Sequence, residues 1–182
     1  MSRPSKGAPV RSRGFSLIEV LVTWVLIATG VLGMAKMQAT ALSSTQTARV
    51  RSLIALQAGS LAAAMRANRA YWAAGKAPAS FSAAGTHISD PSGVLDDTVA
   101  CAATLCTPAQ LAAHDVQHWV ATINAHFPSY GATVNCPLAA GAPVNCDIHL
   151  SWSEKVVAAQ HSGAASAAAQ TSTQRFTLHV LP

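Results

Sequence analysis

Length, composition and charge limit what this chain can be. Its 182 residues suffice for one modest domain with accessory segments, and 51% of them are hydrophobic while only 10% are charged. The formal charge of +5 is concentrated before Gly14, in the cations Arg3, Lys6, Arg11 and Arg13. The remainder is nearly neutral and has no basic stripe of the kind that binds a phosphate backbone, so we expect no nucleic-acid partner.

A basic segment precedes a long apolar one. Residues 1–14 contain Pro and Gly but no acid, which is typical of a targeting leader rather than of a folded domain. Residues 15–35 carry one charge, Glu19, and as a helix they span about 30 Å, the thickness of the bilayer hydrocarbon. This pattern predicts a transmembrane helix at about 15–36. The basic leader then stays in the cytoplasm, and the rest faces an oxidising periplasm.

Helical signals continue beyond the membrane. Residues 36–72 contain no proline, and they carry an apolar stripe in steps of four and seven: Val50, Ile54, Leu61, Met65 and Trp72. We therefore predict one helix over 15–72, whose second half packs on a globular domain formed by residues 73–182.

The globular domain is predicted to mix helix and strand. Residues 73–107 are rich in Gly and Pro and are interpreted as a loop. Thr107 and Pro108 begin a second helix, which has a buried face and stops at Pro128: Leu111, Val116, Trp119, Val120 and Ile123. Residues 132–136, 144–153 and 174–181 resemble strands, and the Ala/Ser-rich residues 157–173 a flexible loop. The fold class is α+β, with one long N-terminal helix on an antiparallel sheet of three or four strands.

All four cysteines follow the apolar segment: Cys101, Cys106, Cys136 and Cys146. An even number in a translocated domain predicts two disulfides. One interpretation has Cys101–Cys106 stapling a small loop and Cys136–Cys146 clamping a hairpin. The crossed pairing remains open at this stage.

The string Arg13-Gly14-Phe15-Ser16-Leu17-Ile18-Glu19 resembles the cleavage motif of the type IV prepilins. The resemblance implies that a prepilin peptidase cuts after Gly14, that Phe15 becomes the N-methylated first residue, and that Glu19 acts in assembly. Downstream, the runs ATGVLGMAKMQATAL and AAAMRANRAYW, the helix carrying Asp115 and Trp119, and the strand ending at Trp152 resemble the PilV family of minor pilins, the type IV pilus modification proteins.

That resemblance implies a structural role without catalysis or a cofactor. Such a subunit helps initiate pilus assembly and joins the pilus, supporting twitching motility or adhesion. Its partners are the prepilin peptidase, other minor and major pilins, and the inner membrane. It resides first in the inner membrane and later at the cell surface, in the pilus.

Glu19 has a physical rationale that is independent of the family. A carboxylate in an apolar membrane helix is costly and calls for a partner. Cleavage after Gly14 frees an amine at Phe15, one helical turn away, and the amine of an adjacent subunit can also reach this carboxylate. Pairing would stabilise two neighbouring helices only in the correct axial register, since an unpaired buried charge is costly in free energy. The alternative is that Glu19 merely lies near the lipid headgroups.

Three other functions fit parts of the sequence. A type II secretion pseudopilin shares the leader and the helix, and a pilus-tip module that binds DNA or surfaces shares the anchor. An anchored enzyme would need a site, yet no nucleophile elbow, phosphate loop or paired catalytic carboxylates occur. His114 and His118 have a spacing that can hold a metal, but with only Asp115 and His126 near and no evident third ligand they are interpreted as a solvent-facing pair, and no metal is expected.

Overall fold

A computed structural model describes residues 14–98, 100–156 and 170–182 of the chain. The predicted leader, apart from Gly14, and most of the predicted Ala/Ser-rich loop lie outside these residues. The chain divides into two compact units, Met1–Gln46 and Thr47–Pro182, called here the N-terminal and C-terminal units.

Helix α1 runs from Leu17 to Ala67 and is 51 residues long. A short helix α2, Arg69–Trp72, follows after Asn68, so the span predicted as one helix has a break at this residue. Asn68 is buried, and its side-chain amide donates a 2.7 Å hydrogen bond to the carbonyl of Pro108. That bond fixes the break against the beginning of the next helix.

The sheet has five antiparallel strands in the order β2-β1-β3-β4-β5. The bounds are β1 Ser80–Ala84, β2 His87–Ser89, β3 Gly131–Asn135, β4 Cys146–Val156 and β5 Gln170–Val180. The α+β class with one long apolar helix and an antiparallel sheet is thus confirmed. The predicted number of three or four strands is wrong.

Two strands lie where the sequence indicated a loop. Strands β1 and β2 form a hairpin around Gly85, whose φ of 58° is easily reached by glycine. Apart from Phe81 and Ile88, their residues are small or polar and have weak β propensity, but β1 pairs along its whole length with β3. Strand β5 also begins earlier than expected, because residues 170–173 pair with the end of β4. Tertiary pairing outweighs local propensity in both places.

The second helix, α3, spans Pro108–His126 and agrees with the prediction. Its N-terminus carries a capping box, in which Thr107 and Gln110 bond each other's backbone N–H groups. The predicted face is buried except for Leu111, which is 37% exposed, and Ala112 and Ala113 are buried instead.

One hydrophobic core unites the C-terminal unit. The stripe on α1 contributes Ile54, Leu61 and Met65, all essentially inaccessible to water. Other members come from α2, α3 and the inner face of the sheet: Trp72, Phe81, Val116, Trp119, Val120, Ile123, Val134, Ile148 and Leu150. Alternating burial along the strands leaves the opposite face of the sheet to solvent.

Both disulfides follow the local pairing. Cys101 bonds Cys106 just before α3, and Cys136 bonds Cys146 across the connection between β3 and β4. Cys136 and Cys146 are buried in the core. The crossed pairing left open by the sequence does not occur.

Candidate functional site

The N-terminal unit presents an apolar helical surface. Every residue from Gly14 to Leu42 is exposed, including large hydrophobic side chains such as Trp24 and Leu32 at 68% and 70%. By length and composition, α1 is the one helix among the described residues that could cross a membrane. An uncovered surface of this kind calls for lipid or a protein partner.

Polar side chains inside this segment bond to their own helix. The hydroxyl of Thr23 donates to the carbonyl of Val20 at 2.8 Å, and that of Thr29 donates to Leu26 at 3.0 Å. In hydrocarbon a polar group has no water to bond with and must be satisfied internally. Both threonine hydroxyl groups therefore have a hydrogen-bond acceptor within their own helix and need none from outside it.

Charge is confined to the two ends of the segment. Glu19 and Lys36 are the only charged residues in 14–46, and about 25 Å of helix separates them, close to the hydrocarbon thickness. Glu19 lies in the first turn of α1, where the helix dipole favours a carboxylate. It is exposed and forms no ion pair with another described residue.

The three predicted processing and assembly residues lie together at this end. Gly14 and Phe15 precede the helix in non-helical backbone and are exposed, Phe15 to 81%. The backbone N–H groups of Glu19 and Val20 donate to the carbonyl of Ser16, which closes the first turn. The Gly14-Phe15 bond is therefore exposed, non-helical and only two residues before the first residue of the apolar helix.

An ion pair ties helix to sheet in the C-terminal unit. The guanidinium of Arg51 donates from Nε and Nη2 to the two carboxylate oxygens of Glu154, at 3.1 and 3.0 Å. The indole N–H of Trp152 donates to the same carboxylate at 2.9 Å. The hydrogen bonds from Arg51 hold the pKa of Glu154 below its ordinary value, although partial burial opposes them.

Sequence reasoning did not find this pair. Arg51 and Glu154 lie 103 residues apart, and each has an unremarkable neighbourhood in the chain. The alternation along the strand was the one indication in the sequence. Glu154 follows Ile148, Leu150 and Trp152 in steps of two, so it lies on the face of β4 that packs on the core. An acid on an inward position needs a partner from the packed helix.

The loop before α3 has its own anchor at Asp90. Partial burial tends to raise the pKa of its carboxyl, but hydrogen bonds from Leu95, Ser92 and Val94 outweigh burial and hold it below the ordinary value. Gln117 on α3 donates to the carbonyls of Leu95 and Asp97 and so fixes the same loop to the helix.

The solvent face of the sheet is polar. A row of side chains crosses four strands through the paired residues Ser82, Thr133, His149 and Thr177. A shallow hollow of about 520 Å³ lies beside it around Gly131, with hydroxyl groups from Ser82, Ser89, Thr133 and Ser151. Over the described part of the chain, no group of three or more His, Cys, Asp or Glu side chains could hold a metal ion.

The most distinctive arrangement is thus the exposed Gly14–Glu19 segment that opens the apolar helix. The C-terminal unit adds a disulfide-stapled domain with a polar sheet face. In comparisons with known proteins, no protein-family model, curated protein or solved structure matches this chain.

Proposed function

We propose that this chain is a type IV pilin-like subunit, most like a minor pilin of the PilV kind, that helps initiate a pilus and then joins it. The observation that supports this proposal most is a lone carboxylate, Glu19, in the first turn of an exposed apolar helix that closely follows a basic segment ending at Gly14. An α+β domain with a helix packed on an antiparallel sheet supports the same proposal. The role is structural and involves no catalysis.

Assembly follows from the energetics of charge in lipid. The prepilin peptidase cuts after Gly14 and leaves an amine on Phe15, which the enzyme methylates. In the inner membrane, residues 15–36 lie in hydrocarbon, where an unpaired carboxylate is expensive. The amine of a neighbouring pilin neutralises Glu19 only when the two helices have the correct axial offset, so the pair selects the register of the incoming subunit.

The mature N-terminus tests this proposal directly. The full chain is expressed with and without a prepilin peptidase, and the N-terminal peptide is analysed by mass spectrometry. We expect loss of residues 1–14 and one methyl group on Phe15, only when the peptidase is present. A Gly14→Val variant is the matched control and should stay uncut, because the added branched side chain occupies the position before the scissile bond. An intact N-terminus with active peptidase, or cleavage after Ala35, contradicts the proposal.

A deletion strain separates a pilus from a secretion filament. Both kinds of filament use the same leader and apolar helix, so the assignment to a pilus rests on the resemblance of the later segments. Loss of surface pili and twitching on deletion, restored by the wild-type chain, supports the minor-pilin role. Loss of protein secretion with normal pili would instead identify a pseudopilin.

A further inference from the structure

Two histidines share one groove on the C-terminal unit. His114 and His118 lie one turn apart on α3, with ring centroids 6.5 Å apart and ring planes only 15° from parallel. With Asp115 they line a groove of about 390 Å³ between α3 and the stretch of α1 that carries Gln57 and Ser60. The groove is open to solvent, so a small ion can enter it.

These two rings differ from the other described histidines in their hydrogen bonding. Four histidines hold Nδ1 in a hydrogen bond to a carbonyl, hydroxyl or carboxylate oxygen: His87, His126, His149 and His179. Nδ1 of His114 is buried and has no hydrogen-bond partner among the described residues. The ring of His118 forms no hydrogen bond with another described residue. The two described imidazoles that form no side-chain hydrogen bond are therefore the two that lie side by side.

We propose that His114 and His118 form a two-histidine site for a first-row divalent metal ion, with Cu²⁺ bound most tightly. Residues four apart on a helix face the same side, so both rings can turn toward one ion. Imidazole nitrogen is a ligand suited to copper, nickel and zinc. A site of this type binds Cu²⁺ with higher affinity than Ni²⁺ or Zn²⁺.

Asp115 supplies the supporting contact for one ring. Its Oδ1 lies 3.5 Å from Nδ1 of His114, on the buried side of that ring. This contact is not a hydrogen bond in the structure. A small turn of the ring on metal binding would let Nδ1–H donate to the carboxylate, which favours the tautomer that leaves the lone pair of Nε2 for the metal. Asp115 is thus a positioning residue, and Nε2 is the ligand atom that the proposal assigns to His114.

The site has two protein ligands, and water or a neighbouring subunit completes the coordination. No third His, Cys, Asp or Glu among the described residues is placed to join them. The sequence alone suggested a solvent-facing pair. The buried Nδ1, the neighbouring carboxylate and the groove are what change that interpretation.

Copper titration of the full, untagged chain in detergent micelles tests the proposal. Cu²⁺ is the probe, and electron paramagnetic resonance follows both the affinity and the number of bound nitrogen ligands. We expect a spectrum with two equivalent nitrogens. His114→Gln and His118→Gln should each weaken binding by about tenfold or more and leave one nitrogen, and Asp115→Asn should weaken it by up to about tenfold with both nitrogens kept.

Matched variants make the result decisive. His126→Gln on the same helix and His149→Gln on the sheet should bind Cu²⁺ as the unaltered chain does, and circular dichroism shows whether each variant is folded. The proposal is overturned if His118→Gln keeps the affinity and the two-nitrogen spectrum. It is also overturned if the His126 or His149 variant loses as much affinity as the His114 variant.

Discussion

Among single residues, two buried tyrosines of the C-terminal unit differ in one hydrogen bond. Tyr71 and Tyr130 are both 3% exposed, but only the hydroxyl of Tyr130 donates to a carbonyl, that of Gly85, at 3.1 Å. The hydroxyl of Tyr71 is buried and has no hydrogen-bond partner within the described part of the chain. Burial raises the pKa of Tyr130 to about 12 and also raises that of Tyr71, with the charge of Asp90 as a smaller cause.

Replacing each tyrosine by phenylalanine should have different effects. Tyr130→Phe removes a hydrogen bond and leaves the Gly85 carbonyl unpaired, so we expect the free energy of unfolding to fall by about 1 kcal/mol. Tyr71→Phe removes only an unsatisfied hydroxyl and should be neutral or stabilising. Urea denaturation followed by tryptophan fluorescence measures both. Equal losses in the two variants would contradict the assignment of these hydroxyl groups.

The Arg51–Glu154 pair predicts how stability depends on pH. The folded pKa of Glu154 lies below its unfolded value, so its contribution is present above about pH 4.5 and is lost as pH falls through the folded pKa. Asp90 adds a loss of the same sign at acid pH. We expect the free energy of unfolding to fall steadily below about pH 4.5.

Glu154→Gln isolates this contribution. The amide removes the titrating group, so the loss of stability on acidification should be shallower than in the unaltered chain, as measured by denaturation between about pH 3 and pH 7. Asp96→Asn is the matched control, because Asp96 is exposed and forms no ion pair with the described residues. An unchanged slope in Glu154→Gln would mean that the ion pair contributes nothing to folding.

At the scale of elements, the two disulfides should contribute unequally. Cys136–Cys146 closes a longer loop than Cys101–Cys106, and a longer loop restricts the unfolded chain more. Its sulfur atoms also lie in the core, whereas Cys101 and Cys106 are only partly buried.

Paired alanine variants test this order. Removing Cys136 and Cys146 together should cost about 3 kcal/mol or more, and removing Cys101 and Cys106 together about 2 kcal/mol. Denaturation of the two double variants under identical conditions gives the comparison. A larger loss for the Cys101/Cys106 variant would show that the short loop before α3, and not the β3–β4 hairpin, limits stability.

The sequence predicted those secondary-structure elements that are specified by residues next to one another in the chain. Thr107 and Gln110 form a capping box within four residues, and Pro108 occupies the first turn, so the start of α3 is encoded where it occurs. The β1–β2 hairpin has no such signal, since SFSAA owes its strand form to pairing with β3, and HIS owes its own to pairing with β1. The break at Asn68 depends on a hydrogen bond to Pro108, forty residues away, and the local sequence did not predict it.

At the scale of the whole molecule, the two units differ in whether their candidate sites are encoded in one local segment or built from distant segments. Gly14, Phe15 and Glu19 lie within one short segment, and the exposure of the apolar helix follows from its composition, so the roles proposed for these residues rest on local sequence alone. The groove of His114 and His118 needs α1 beside α3, and the Arg51–Glu154 pair needs β4 beside α1. Sites built from distant segments depend on packing that the sequence does not display.

The assembly role proposed for Glu19 gives the last prediction. In the proposed pilus, Glu19→Ala leaves the amine of a neighbouring subunit without its counter-charge, and breaking a buried ion pair costs about 3–5 kcal/mol. We expect the amount of this protein in sheared pili to fall by more than about tenfold relative to the amount in the inner membrane. Quantitative immunoblotting of the two fractions measures the ratio.

Two controls separate assembly from processing and folding. Mass spectrometry should find the same methylated Phe15 in Glu19→Ala as in the unaltered chain, so that any loss lies after cleavage. Glu154→Gln changes a carboxylate of the C-terminal unit and should enter pili at a nearly normal level. If Glu19→Ala enters pili as readily as the unaltered chain, the carboxylate lies in the headgroup region without a partner. The register of the helices must then come from apolar packing alone.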